Sequence, residues 1–275
     1  MFETTVDNLS QHLVDDMGIQ PDDLVFMFSG LWGLGKLENG VETIEDVFQK
    51  VLPKGTLIVP TFSYSWSSGE CFNKLTPCPD MGAFSNYALT APSYKRTNNP
   101  NFSVAIRENE YNQSIVKDLL NVGDDCFDEE SIFGKVVKYS QSNRAWILLL
   151  GGAFNDVKYR STFIHYAQQK VGVKHRYIKR FKSPKSDNRV VTQLVRYLDE
   201  EEYTDKTGNS TNSFNFPIEE DYTQYGDDVD SAGLLCSKKF GYYPSRIVPI
   251  KDVVNLYMEK IGNNPFYCID SSSLK

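Results

Sequence analysis

Apolar positions recur along this chain in two rhythms, one suited to helices and one to buried strands. Phe2, Val6, Leu9, Leu13 and Met17 share one helical face, predicting a helix from Phe2 to Met17 that Pro21 ends. Val41, Ile44, Val47, Phe48 and Val51 do the same for a helix from Val41 to Leu52, which Gly55 breaks. Between them, LVFMFS is an unbroken apolar run of strand length, and TLIVP after Gly55 is a second. Such runs suit central strands covered on both faces. Strand, glycine-rich loop (Gly30 to Gly40), helix and strand together predict a βαβ unit. A third buried strand is predicted at Ala145 to Gly151. Further helices are expected at Asn112 to Asn121, Ser131 to Tyr139, Ser161 to Lys170 and Pro249 to Ile261. Val173 to Phe181 and Val190 to Tyr197 alternate like the arms of an antiparallel hairpin, joined through Pro184, Ser186, Asp187 and Asn188. Residues 61–111 show little regular pattern; a stretch of that length is usually functional or poorly ordered, and the interleaved aromatic and polar residues favour the functional reading. The expected architecture is α/β: a mixed-sheet core with βαβ units flanked by helices, plus an antiparallel hairpin and a helical C-terminal part, in one domain over 1–275.

Composition narrows the function classes. The formal net charge of -7 over 275 residues gives no basic face of the kind duplex nucleic acid requires, so no nucleic-acid partner is expected. The five cysteines form no C-x-x-C pair, which argues against a zinc site or disulfide framework; no metal is expected. The first residues are acidic and amphipathic, unlike a signal peptide, and no apolar run approaches the roughly 18 residues of a membrane span. A cytoplasmic location is the expectation. Charge is unevenly spread. Residues 170–189 hold Lys170, Lys174, Arg176, Lys179, Arg180, Lys182, Lys185 and Arg189, a patch suited to phosphates or to a solvated face. Residues 199–230 are acidic, suited to a cationic amine or to solvent.

Two places carry candidate chemistry. The loop FSGLWGLGKLENG follows a strand and opens toward a helix, where free backbone N–H groups favour phosphate. Its spacing fits neither the nucleotide-triphosphate loop nor the dinucleotide fingerprint, because no Lys-Ser or Lys-Thr follows and Glu38 stands where a third glycine belongs. A phosphate- or pantetheine-bearing ligand and a plain tight turn both remain readings of it. Of the three histidines, His12 reads as a boundary residue and His175 as structural or a phosphate contact. His165 lies in STFIHYAQQ, just after a buried strand, where ligands gather and an imidazole can accept a proton.

Taken in order, several segments resemble the antibiotic N-acetyltransferase family, the aminoglycoside 3-N-acetyltransferases and related sugar N-acyltransferases. VFMFSGLWGLG is similar to the family's first strand and loop, and NGVETIEDVFQKVLPKGTLIVPTFSY to its helix, Gly-Thr turn and strand. DMGAFSNYAL resembles its Met-Gly turn, KRTNNPNFSVAI its Arg-Ser-x-His-Pro-x-x-Ser signature, and ESIFG with WILLLGG a helix and following strand. STFIHYAQQKVGVKHRYIKRF resembles its Thr-x-x-His helix and return strand. The resemblance covers roughly residues 20–200 and implies transfer of an acyl group from acetyl-CoA or another acyl-CoA to an amine. It implies His165 as general base, supported by Thr162, with Asp156 a candidate for the orienting carboxylate beside Glu219 and Asp221. It implies a CoA groove formed by Ser29, Gly30, Leu31, Gly33 and Gly35 together with Arg96, Thr97, Asn99, Pro100 and Ser103, with N–H groups near Gly30 facing the developing oxyanion.

The departures steer the expected substrate. Phe28, Asn99 and Gln168 stand where the family carries His, His and Glu. The closer likeness is to members acting on nucleotide-linked amino sugars for surface glycans such as lipopolysaccharide, with residues 170–189 against the diphosphate. Two alternatives stand beside it: an aminoglycoside acceptor, as in antibiotic resistance, and an inactive binding protein that kept the fold. A homodimer is also an expectation.

Overall fold

Side chains alternate across the central strand β2 (Leu24–Ser29): Leu24, Phe26 and Phe28 enter one apolar cluster, Val25 and Met27 another. That two-residue period on an all-apolar run places β2 in the middle of a sheet with both faces covered. The computed structural model describes residues 1–182, 189–196 and 219–270. The first part of the chain comprises β1 (Glu3–Thr4), α1 (Val6–Gln11), β2, β3 (Lys36–Leu37), α2 (Glu42–Val51) and β4 (Thr56–Pro60). The middle contributes α3 (Ala83–Ala88), β5 (Tyr94–Arg96), β6 (Val104–Arg107), α4 (Gln113–Leu120), α5 (Ile132–Tyr139) and β7 (Ala145–Leu150). The rest supplies α6 (Phe163–Val171), β8 (Tyr177–Lys182), β9 (Val190–Val195), α7 (Thr223–Ser231), β10 (Cys236–Phe240), β11 (Tyr243–Pro249) and α8 (Ile250–Asn263).

Seven strands form one mixed sheet in the order β10-β11-β7-β2-β4-β6-β5. β2 pairs in parallel with β4 and with β7, and the outer pairings are antiparallel. The predicted βαβ unit is therefore β2-α2-β4. β8 and β9 form the predicted hairpin. Phe133, Val136, Phe163, Ala167, Val253 and Tyr257, from α5, α6 and α8, belong to the first cluster, and Leu9, Ile44, Phe48 and Phe84, from α1, α2 and α3, to the second. The mixed α/β class is as expected.

Three features depart from the sequence expectation. The stretch Phe2 to Met17 is not one helix: Glu3–Thr4 pairs in parallel with Lys36–Leu37, Thr5 starts α1 through a reciprocal cap with Asn8, and His12–Asp16 forms a π turn. Residues 61–111 contain α3, β5 and β6, whose strands are only three and four residues long and include Arg96 and Arg107. The acidic stretch contains α7, and the chain beyond it adds β10 and β11 at the sheet edge. The residues 184–188 of the hairpin connection, Tyr197 and the part of the acidic stretch at 199–218 lie outside the described residues. No helix among the described residues is long and apolar enough to cross a membrane.

Candidate active site

β2 and β7 lie in register with Ser29 opposite Leu150, so both deliver their carboxyl ends to one sheet edge. The turns leaving them interlock by backbone contact. Gly30 N–H donates to Leu150 O at 2.8 Å. A Cβ on Gly33 would stand 2.1 Å from the Gly151 carbonyl oxygen, and one on Gly151, whose φ is +64°, would stand 2.5 Å from Gly30 O. Gly33→Ala should therefore cost about 3 kcal/mol of stability, read as a lower urea midpoint at unchanged slope.

These contacts give the glycines a different use from the one the resemblance implied. Gly33 N–H donates to Gly30 O at 3.0 Å, Gly35 N–H donates to Trp32 O at 3.3 Å, and Gly35 packs against the Phe2 carbonyl. The N–H groups of Gly30, Gly33 and Gly35 are thus spent inside the protein rather than facing an oxyanion or a phosphate. The loop continues into a 3₁₀ turn, Leu31–Leu34, and α2 begins later with Glu42 and Glu45 in its first turn, where they occupy the position an anion would favour. Ser29 and Leu31 remain partly exposed at the rim.

The Arg96 signature is likewise turned inward. The Arg96 guanidinium donates to the carbonyls of Thr76 and Thr61, both at 2.7 Å, and to Ser103 Oγ at 3.1 Å, while stacking on the Phe72 ring. Burial pulls its pKa down to about 10. Thr97 Oγ1 accepts from Val104 N–H, and Asn99 Oδ1 accepts from the N–H groups of Asn101 and Phe102, closing a side-chain turn. Pro100 lines an open cavity of about 390 Å³ that it shares with Trp66, Phe72 and Arg189.

The turn after β7 runs past Phe154, a non-glycine residue at φ 50°, into α6. Arg246, buried on β11, anchors that turn by donating to the carbonyls of Ala153 and Phe154 at 2.6 and 3.0 Å and of Val157 and Lys158 at 2.5 and 2.8 Å. Phe28 packs on Phe154, ring centroids 5.1 Å apart, and so becomes an apolar support where the family carries His. Beyond the turn lies a cavity of about 210 Å³ lined by Phe154, Arg160, Thr162, Ile164, His165 and Tyr222. Thr162 stands at the N-cap of α6 without capping it, which leaves its hydroxyl to the cavity. Arg160 Nε is buried with no partner among the described residues.

His165 is partly buried, with its ring edge-on to Phe127 at 5.3 Å. Its Nδ1 meets Gln168 Oε1 at 3.0 Å. Gln168 Nε2 donates in turn to Glu220 Oε1 at 2.7 Å and to Tyr257 Oη at 3.1 Å. Glu220 is clasped by Arg176, whose Nε donates at 3.0 Å and whose Nη2 reaches the other carboxylate oxygen, and by His175 Nε2 at 3.3 Å. Burial pushes the Glu220 carboxyl up, but His175 and Arg176 outweigh it and hold it well below the usual carboxylate range. The acidic residue joined to His165 is therefore Glu220, through Gln168. Asp156 pairs instead with Arg160 at 3.1 Å, Glu219 with Arg196 at 2.5 Å, and Asp221 accepts from Thr223 N–H at 2.8 Å. Nothing in the sequence singles out Glu220 from the acidic stretch around it.

Burial, with a smaller push from the Arg176 charge, pulls the His165 pKa from 6.5 down to about 4, so the imidazole is neutral and able to accept a proton across the neutral range. The unfolded chain therefore binds one more proton than the folded one between those two values, and stability falls as pH drops through that window. His165→Ala should flatten this part of the stability curve, measured by urea unfolding at about pH 7 and about pH 5.

A model of the aminoglycoside 3-N-acetyltransferase family matches residues 27–261, and with them the carboxyl ends of both strands and the helix that build this cavity. The chain belongs to that family. By that family's description it is an N-acetyltransferase. Its fold is shared with the apoenzyme of aminoglycoside acetyltransferase AAC(3)-IVa, at TM-score 0.72 and 19% identity over 97% of this chain and 91% of that one. AAC-IIIb bound to CoASH aligns at TM-score 0.70 and 17% identity over 95% and 97% of the two chains. AAC-VIa bound to sisomicin aligns at 0.69 and 17% over 95% and 98%. No curated protein sequence matches the chain.

The basic segment of the acetyltransferase is paired within the protein at three positions, while Lys174, Arg180 and Lys182 are exposed. Lys170 meets Glu129, Arg176 meets Glu220 and Arg189 meets Asp124. Lys185 lies outside the described residues. The counterpart segment 219–231 holds Glu219, Glu220, Asp221, Asp227, Asp228 and Asp230 and no Lys or Arg. Its ion pairs reach Arg196, Arg176, Lys158 and Lys260, with His175 neutral or charged beside Glu220. Among the described residues, six carboxylates of this segment thus meet four permanent cations, and Asp227 and Asp230 line a separate cavity with Lys158 and Arg246.

Proposed function

We propose that this acetyltransferase takes acetyl-CoA as acyl donor and an amine of a cationic amino sugar of the aminoglycoside type as acceptor, with His165 as general base. The observation that carries this is the neutral imidazole of His165, held at Nδ1 and facing a cavity beside Thr162 at the carboxyl ends of β2 and β7. Acetyl-CoA supplies the thioester. The chain supplies a base to free the amine lone pair, since an ammonium group has none to attack with.

The cationic acceptor is favoured over a nucleotide-linked amino sugar by charge. Three of the cations that would meet a diphosphate, Lys170, Arg176 and Arg189, are tied up in internal pairs, and the excess at 219–231 is negative. The family and the sisomicin-bound relative support the same choice. The test is a panel of amines at fixed acetyl-CoA. Sisomicin should show kcat/KM at least about tenfold above any nucleotide-linked amino sugar. Turnover of nucleotide-linked amino sugars alone would return the substrate assignment to surface-glycan synthesis.

A further inference from the structure

The hydrogen bonds around Gln168 carry information about which nitrogen of His165 holds the proton. A carboxylate only accepts, and Glu220 is kept ionised by Arg176 and His175. The Gln168 group 2.7 Å from Glu220 must therefore be the NH₂ end of the amide, which also donates to Tyr257 Oη. That fixes the carbonyl end toward His165 Nδ1 at 3.0 Å. A carbonyl oxygen needs a donor, so Nδ1 carries the proton and Nε2 carries the lone pair.

We infer that Glu220 is a positioning residue for the acetyl transfer: acting through Gln168, it locks His165 in the tautomer whose Nε2 is the base. This deepens the base assignment of the preceding section and rests on it. Gln168 and Glu220 are 52 residues apart in the chain, so the arrangement needs α6 and the segment before α7 to be docked together. The negative charge of Glu220 reaches His165 only in part, because Arg176 sits on the same carboxylate. Its contribution is therefore mainly directional: with a neutral or absent group at position 220 the Gln168 NH₂ end keeps only Tyr257 Oη, a hydroxyl that can donate as well as accept, and half-turn rotation would present NH₂ to Nδ1 and select the wrong tautomer. The analogous carboxylate beside a base histidine in other enzymes also acts by fixing tautomer and orientation.

The experiment is long-range ¹H–¹⁵N NMR of the wild-type protein near neutral pH, read with turnover of Glu220→Gln, Gln168→Glu and the double variant that exchanges the two groups. The wild-type spectrum should show His165 protonated on Nδ1. Each single variant should lower kcat about tenfold or more and mix the tautomers. Gln168→Glu sets two carboxylates side by side, and Glu220→Gln frees the amide. In the exchanged pair the carboxylate, moved onto α6, accepts from Nδ1 and from the amide moved to the segment before α7. There kcat should return to within about threefold of wild type, which a merely structural role would not produce. A wild-type His165 protonated on Nε2 overturns the inference without reference to any variant's folding. So does a double variant no better than its worse parent. Loss of the base assignment itself would show differently, as full activity in His165→Ala.

Discussion

His165→Ala is expected to lower kcat about 100- to 10,000-fold, with acetyl-CoA affinity close to wild type. The magnitude follows from what a positioned base does: at neutral pH most of an aliphatic amine is ammonium, and the reacting fraction depends on a group able to take its proton within the complex. Burial holds the His165 pKa at about 4, so the ring is in its base form throughout the neutral range. The rise of kcat/KM with pH should therefore follow the acceptor amine and not the histidine. Stability at neutral pH should change by about 1 kcal/mol at most, since the ring is only partly buried. The measurements are steady-state kinetics across pH and calorimetric titration with acetyl-CoA. Turnover unchanged by the substitution would remove His165 from the chemistry.

Arg96→Ala should cost about 3–5 kcal/mol of folding stability, the largest loss expected for any residue of the KRTNNPNFSV segment. Its guanidinium ties the loop after β4 to β5 and β6, serving the carbonyls of Thr61, Asn73, Lys74 and Thr76 and the hydroxyls of Thr61 and Ser103. Removing it leaves the buried Thr76 carbonyl without this donor, while Thr61 O keeps Ser103 Oγ and Asn73 O keeps Thr76 N–H. Arg96→Lys should recover little, because an ammonium cannot span groups that a planar fork reaches in several directions. Urea unfolding checks both variants. If Arg96 instead gripped a phosphate of CoA, Arg96→Lys would raise KM for acetyl-CoA and leave the unfolding midpoint in place.

The contrast between these two residues shows what could be read from the sequence. The three central strands were legible because burial on both faces leaves nothing but apolar side chains, and the helices α2, α5, α6 and α8 because one face of each must be apolar. β10 and β11 were hidden: the edge strand CSKKF carries two lysines, and β11 contains Pro244, Pro249 and a buried Arg246. β5 and β6 were hidden by their shortness and by Arg96 and Arg107, the latter neutralised by Glu45 from α2 at 3.1 Å. His165 was legible from its place after a buried strand. Glu220 was not, since its role depends on which one of many acidic residues is buried against Arg176. The glycine loop misled for a physical reason: backbone approaching backbone requires the same absence of Cβ as backbone approaching phosphate, and Gly33 against Gly151 is the former.

The central claim is tested most directly by release of free CoA thiol from acetyl-CoA with sisomicin as acceptor, comparing wild type and His165→Ala. The account predicts amine-dependent release by wild type that falls at least about a hundredfold in the variant. Release that is absent in wild type with every amine offered, although acetyl-CoA binds, would contradict it.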